Sequence, residues 1–196
     1  MKKGLAMAIR VLTIAPMMAL VLLLTLYFAR SDVFGTTLNF VLAVIFLVVF
    51  PVLAYPLQPV LPKFKTRGRE GQRSLALWMA FLGYILGLVC ALLLPVSRYL
   101  MIIYMTYLLS GVALIVLNKV FGIKASGHAC GVAGPIFSMV YFLSPWLLLG
   151  FLILPAVYWA SLKMGRHTSS ELLIGTAIPT YALLISILIF LGHRPI

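Results

Sequence analysis

Uninterrupted apolar stretches constrain this chain more than any other feature it has. Seven of them lie at roughly 11–29, 38–61, 74–96, 99–117, 129–144, 146–162 and 172–191. Inside a bilayer the backbone must satisfy its own polar groups, so only helices and closed barrels cross. The stretches are continuous rather than alternating, which predicts helices and not barrel strands. With 64% hydrophobic and 9% charged residues, an ordinary soluble domain is excluded. No internal repeat, low-complexity tract or long linker divides the chain. The expected fold is a single all-α, polytopic membrane bundle over 1–196 with about seven transmembrane helices.

Local punctuation refines that expectation. The opening "MKKGLAMAIR" mimics a signal peptide, but the run that follows is too long for one and lacks a small-x-small cleavage site. It is expected to be a first membrane helix at 11–29. Pro51, Pro56 and Pro59 should kink or break the second span. Pro145 marks a helix boundary and Pro179 a kink. The fifth stretch has only 16 residues. It would cover about 24 Å of a hydrocarbon core of about 30 Å, which suits a helix whose polar start dips inside the protein. Cys90 and Cys130 fall in apolar stretches and read as core thiols. Trp146, Trp159 and the tyrosines read as an interfacial belt, and His193 as decoration of the interface.

Threading seven spans leaves the N-terminus and the loops at 62–73, 118–128 and 163–171 on one face, with 12 of the 15 basic residues. Only Arg30, Arg98 and Arg194 fall opposite. By the positive-inside rule the basic face is cytoplasmic in a cell membrane. The formal charge of +12 therefore points to lipid headgroups as the partner, with no nucleic acid.

That face also gathers the reactive groups. His128 opens the fifth span in "KASGHACGVAGP", and His167 precedes the last one in "RHTSSELL". Glu171 follows His167 by four residues, one helical turn on the same side. A carboxylate there fixes the imidazole tautomer and leaves the other nitrogen free to attack. His128 has the chemistry of a general acid. Ser126 and Gly127, at a helix start, have backbone N–H groups suited to an anion, and Lys124, Arg166 and Arg73 add positive charge for phosphoryl oxygens. Two histidines, one of them oriented, in a basic pocket suit phosphoryl transfer through phosphohistidine without a cofactor.

Structural roles compete for the same residues. Gly127, Gly131 and Gly134 suit close helix packing, Glu171 suits a helix cap, and the basic run at 63–73 suits a solvated loop. His128, His167 and Glu171 are of zinc-ligand type, but the surrounding cations would repel a divalent ion and no His-Glu-x-x-His pattern is present. No metal is expected.

"ASGHACG" resembles the Pro-Ser-Gly-His motif of the type 2 phosphatidic acid phosphatase superfamily, the integral membrane lipid phosphate phosphatases. "ASLKMGRHTSSE" resembles its last motif, Ser-Arg-x5-His-x3-Asp, and "REGQR" with "LNKVFGIKASGHACGVAGP" is similar to a divergent prokaryotic branch. The likeness covers roughly 40–192. It implies a six-helix core over 38–192, preceded by the extra helix at 11–29, and metal-independent hydrolysis of a lipid phosphate or polyprenyl diphosphate. By the resemblance His167 is the nucleophile, His128 the general acid and Glu171 the orienting carboxylate, with Ser126 and Gly127 cradling phosphate. The chain departs from the pattern at Ser161, where the last motif has Arg, and at Ala125, where Pro is usual. The first motif, a Lys with Arg-Pro seven residues on, is missing, and Lys119, Lys124, Arg73 and Arg166 are the residues left to compensate. A catalytically impaired lipid-phosphate binder or transporter on the same fold is the alternative.

Overall fold

The computed structural model describes residues 2–191, and side chains from Gly4 onward. His193 and Arg194, expected at the interface and on the less basic face, lie outside the described residues, as do the side chains of Lys2 and Lys3. The described residues form helices and no strand. They are α1 (Lys2–Leu12), α2 (Ala15–Ala29), α3 (Thr37–Leu57), the one-turn α4 (Pro62–Lys65), α5 (Gly68–Leu93), α6 (Arg98–Val120), α7 (Gly127–Phe142), α8 (Pro145–Lys163) and α9 (Ser169–Leu191).

Five of these, α3, α5, α6, α8 and α9, are long and apolar enough to cross a membrane, and α1 with α2 makes a sixth if the bent pair is one crossing. The expected single helix at 11–29 is instead broken, with a 45° bend between Gly4–Leu12 and Ala15–Ala29. Pro16 is the cause: it has no N–H for the Leu12 carbonyl, and its ring collides with that carbonyl. Ile14 is extended (φ −61°, ψ 148°) and α2 restarts with Pro16 in its first turn, where a missing N–H costs nothing.

Proline shapes α3 in the same way. Pro51 cannot donate to Leu47, and the turns before it, Ile45–Val49, widen into a π-helical stretch. The helix ends at Leu57, short of the expected 61. The "GREGQRS" segment was expected in a loop ending at 73, yet it is the first two turns of α5. Pro179 lies within an unbroken α9. The fifth stretch is a 16-residue helix, α7, whose polar start at Ala125 and Ser126 is buried within the bundle.

The main core joins α2, α3 and α6 through Leu22, Leu23, Leu26, Leu47, Ile103 and Tyr104. Gly83 and Gly87 of α5 admit α3 and α6 at backbone range: a β-carbon at Gly83 would lie 2.3 Å from the Phe46 oxygen. Phe28, Leu93, Trp146 and Leu152 point outward, each at least 74% exposed, a distribution suited to a lipid-facing perimeter. At the far end from the histidines, buried Asn39 donates to the carbonyls of Phe34 and Pro95, which ties two connections together.

Candidate functional site

Helix α8 ends in a Schellman turn. Arg166 N–H reaches the Ser161 carbonyl (3.0 Å) and Gly165 N–H that of Leu162 (3.0 Å). Gly165 supplies the left-handed residue this requires (φ +60°). The turn delivers His167 to the start of α9, where Thr168 is the cap. Glu171 N–H donates to Thr168 Oγ1 (3.3 Å) and Thr168 N–H to Glu171 Oε2 (3.4 Å), a capping box.

The same Glu171 oxygen lies 2.7 Å from His167 Nδ1. Capping and orienting are thus one arrangement rather than rivals, and the shorter bond is the one to the imidazole. Nδ1 is the protonated nitrogen, because a carboxylate only accepts. Nε2 has no hydrogen-bond partner among the described residues. The pair is largely enclosed, with His167 and Glu171 side chains 7% and 19% exposed. Burial pushes the His167 imidazolium below its usual pKa range. Glu171 opposes that shift, and the charges of Arg73 and Arg10 add to it.

The start of α7 rests directly on α9. Ser126 N–H donates to the Glu171 carbonyl (2.9 Å), and a β-carbon at Gly175 would lie 2.3 Å from the Ser126 oxygen. Gly175→Ala is therefore predicted to push the two helix starts apart, at a cost of about 1–3 kcal/mol. It should lower the thermal midpoint in detergent, whereas Gly127→Ala, with only Leu114 Cδ1 at 3.8 Å, should not. Equal midpoints for the two variants would contradict this packing. Of the glycines expected in helix contacts, Gly131 is the tight one, with Ala15 2.3 Å from its added β-carbon.

Ser126 is fully buried and its hydroxyl accepts from Ala129 N–H (3.3 Å). Its side chain caps α7 rather than facing a ligand. The N–H groups of Gly127 and His128 have no protein acceptor among the described residues, as expected of a first helical turn. Asn118 closes the loop before them by exchanging hydrogen bonds with the backbone of Ala125.

Two residues that the sequence does not single out complete the cluster. Arg10, at the end of α1, donates from Nη1 to the Oγ of fully buried Ser161 (2.8 Å). Thr13, at the α1–α2 break, donates to the Ile9 carbonyl (2.7 Å) and lies 3.0 Å from His128 Nε2. With its one proton committed to Ile9, Thr13 must accept from His128, so the neutral His128 carries its proton on Nε2. The only trace of either residue in the sequence is Pro16, whose helix break angles α1 by 45° from α2 and lets it pack against the end of α8. Their contacts span 151 and 115 residues.

The charge balance is lopsided. All three carboxylates are engaged: Asp32 with Arg30, Glu70 with Arg67, and Glu171 with His167. Arg73 and Arg69 act electrostatically on Arg10, and Lys124 on Glu171. None of Arg10, Arg73, Arg69 and Lys124 has an acidic partner among the described residues. The structure thus brings His167, Glu171, His128, Arg73 and Lys124 towards one place. Arg166 is half-buried in the adjoining turn, and Lys119 is exposed at the end of α6. Among the described residues no three His, Cys, Asp or Glu side chains converge as metal ligands. Comparison with protein-family models, curated proteins and solved structures returns no match.

Proposed function

We propose that this protein is an integral membrane phosphatase of the lipid phosphate phosphatase type, acting on a lipid phosphate or polyprenyl diphosphate through phosphohistidine. The observation that carries the reading is the 2.7 Å contact of His167 Nδ1 with Glu171, which leaves Nε2 unpartnered. In the first step Nε2 attacks phosphorus, the bond from phosphorus to the lipid oxygen breaks, and that oxygen takes a proton from His128. To give a proton His128 must first be an imidazolium, a form favoured by a dianionic headgroup beside it. In the second step water attacks phosphorus and passes a proton to His128, the bond from phosphorus to His167 Nε2 breaks, and inorganic phosphate leaves. The guanidinium of Arg10, held on Ser161, is suited to the role played by the last-motif Arg in the family this chain resembles. The N–H groups of Gly127 and His128 and the charges of Arg73 and Lys124 complete the anion pocket.

The enclosed Ser126 hydroxyl favours a second reading, a lipid-phosphate binder or transporter without turnover. Phosphate release by the purified protein, screened across phosphatidate, phosphatidylglycerophosphate and polyprenyl diphosphates, separates the two. Hydrolysis should survive chelators and be blocked by vanadate. A protein that binds these lipids yet releases no phosphate from any of them is not a hydrolase.

We also infer seven crossings in the cell membrane, counting α1–α2 as one and the short α7 as another, with the site on the cytoplasmic side. The 12-to-3 distribution of basic residues supports that orientation. Single cysteines at Arg67 and Arg98, in a chain lacking Cys90 and Cys130, should label oppositely with an impermeant thiol reagent on intact cells. Labelling of position 67 from outside would reverse the orientation and assign the substrate to the outer leaflet.

A further inference from the structure

Helix α1 is apolar on its outer side and polar on its inner one. Leu5, Val11 and Leu12 point outward, each more than half exposed, whereas Ala6 and Thr13 are buried and Arg10 is half-buried. Positions 6, 10 and 13 are spaced by four and three residues and share one helix face. Thr13 N–H still donates to the Ile9 carbonyl (3.0 Å), so that face continues past the last helical residue. An apolar outer side suits lipid. The few polar groups of this segment are therefore the ones it presses against the protein, and Thr13 is pressed against a histidine.

The two histidines of the site are held by opposite nitrogens. Glu171 takes the Nδ1 proton of His167 at 2.7 Å and leaves Nε2 without a partner. Thr13 Oγ1 stands 3.0 Å from Nε2 of His128, and Nδ1 of that ring has no hydrogen-bond partner among the described residues. Because Thr13 Oγ1 already donates to the Ile9 carbonyl at 2.7 Å, it has only lone pairs to offer the ring. The proton of neutral His128 therefore sits on Nε2 and the ring lone pair on Nδ1. Nδ1 is also the ring nitrogen nearer the main chain, and so nearer the free N–H groups at the start of α7.

We propose that Thr13 is a positioning residue for His128, holding Nε2 so that Nδ1 is the atom that exchanges the proton. The inference rests on the phosphatase reading for the destination of that proton, whereas the tautomer does not depend on it. In the first step the imidazolium gives its Nδ1 proton to the lipid oxygen as that oxygen parts from phosphorus. The ring left behind is neutral with its proton on Nε2, the state that Thr13 favours. In the second step the Nδ1 lone pair takes the proton of the attacking water, and the bond from phosphorus to His167 Nε2 breaks. Thr13 accepts from Nε2 throughout, so the ring keeps one orientation while its other nitrogen works. Thr13 lies outside 40–192, the stretch that carries the family resemblance, and no motif of that family points to it.

The test reads the ring directly, apart from turnover. The chain has three histidines, so heteronuclear NMR of isotope-labelled histidine in detergent micelles is assignable by the loss of the His128 signals in His128→Gln. At a pH where the ring is neutral, His128 is expected to carry a proton on Nε2, protected from exchange with water, and none on Nδ1. Thr13→Ser should keep that protected proton, and Thr13→Val should speed its exchange by roughly tenfold or more. In turnover, Thr13→Val should slow phosphate release from an alkyl phosphate about tenfold more than from an aryl phosphate, whose leaving oxygen needs little protonation, and Thr13→Ser should restore it. A proton on Nδ1, or an Nε2 proton equally protected in Thr13→Val, overturns the inference, as does equal slowing of both esters. The expected spectrum in a protein that releases no phosphate would support the hold of Thr13 on the ring and end the hydrolase reading. Phosphate release with the His128 proton on Nδ1 would do the reverse.

Discussion

His167→Ala is expected to abolish phosphate release, by roughly 10⁴-fold or more, as for other removed nucleophiles. The helix start should persist, because Thr168 rather than His167 caps α9. Glu171→Gln should lower the plateau rate strongly while leaving the protein folded. Glutamine retains an acceptor for the His167 Nδ1 proton but not the charge that supports the ring as it becomes cationic. Trapping of labelled phosphate, followed by acid and base stability of the adduct, distinguishes phosphohistidine from a serine ester. Full activity in His167→Ala would remove the nucleophile assignment altogether.

The pH profile gives the same pair a second check. The attacking ring must be neutral, and burial holds the His167 imidazolium below its ordinary range. The rate should therefore rise with pH through a value below about 6.5, ahead of the alkaline fall set by loss of the His128 proton. Because Glu171 favours the charged ring, Glu171→Gln should shift that limb to still lower pH. Arg73 disfavours it, so Arg73→Ala should shift the limb upward. A profile unmoved by both variants would mean that neither charge acts on the nucleophile.

Arg10→Ala is the other substitution with a large expected effect, a fall of about 10²–10³ in kcat. Arg10 is a half-buried guanidinium without a carboxylate, beside two histidines in a cluster rich in cations. Its loss also leaves the buried Ser161 hydroxyl without its donor, at about 1 kcal/mol of stability. Arg10→Lys keeps the charge but not the planar fork and should recover only part of the rate. The informative variant is Arg10→Ala combined with Ser161→Arg, which returns the guanidinium to the place the last motif normally gives it. Recovery of phosphate release there identifies a phosphate-binding role. Loss of stability in Arg10→Ala, with kcat and KM unchanged in the molecules that remain folded, would identify a structural one.

Helical, membrane-spanning character is written in contiguous residues, and so are most of the helix ends. Long apolar runs, the N-capping Ser126, Gly165 past the end of α8 and the prolines act on neighbours a few positions away, and such signals survive without tertiary context. The His167–Glu171 contact is of this kind, since one turn of helix sets the separation. The short α7 with a buried start is also legible, because a 16-residue helix cannot match the bilayer unless protein covers its end. The first apolar run is where local reading fails. Hydropathy makes 11–29 one helix, but a single missing N–H at Pro16 divides it, and hydropathy does not register hydrogen-bond geometry. From that break follows what only packing decides. Arg10 meets Ser161 across 151 residues, and Thr13 meets His128 across 115. No periodicity links such positions. They are neighbours because small residues, Gly131 against Ala15 and Gly175 against Ser126, let backbones approach within side-chain distance.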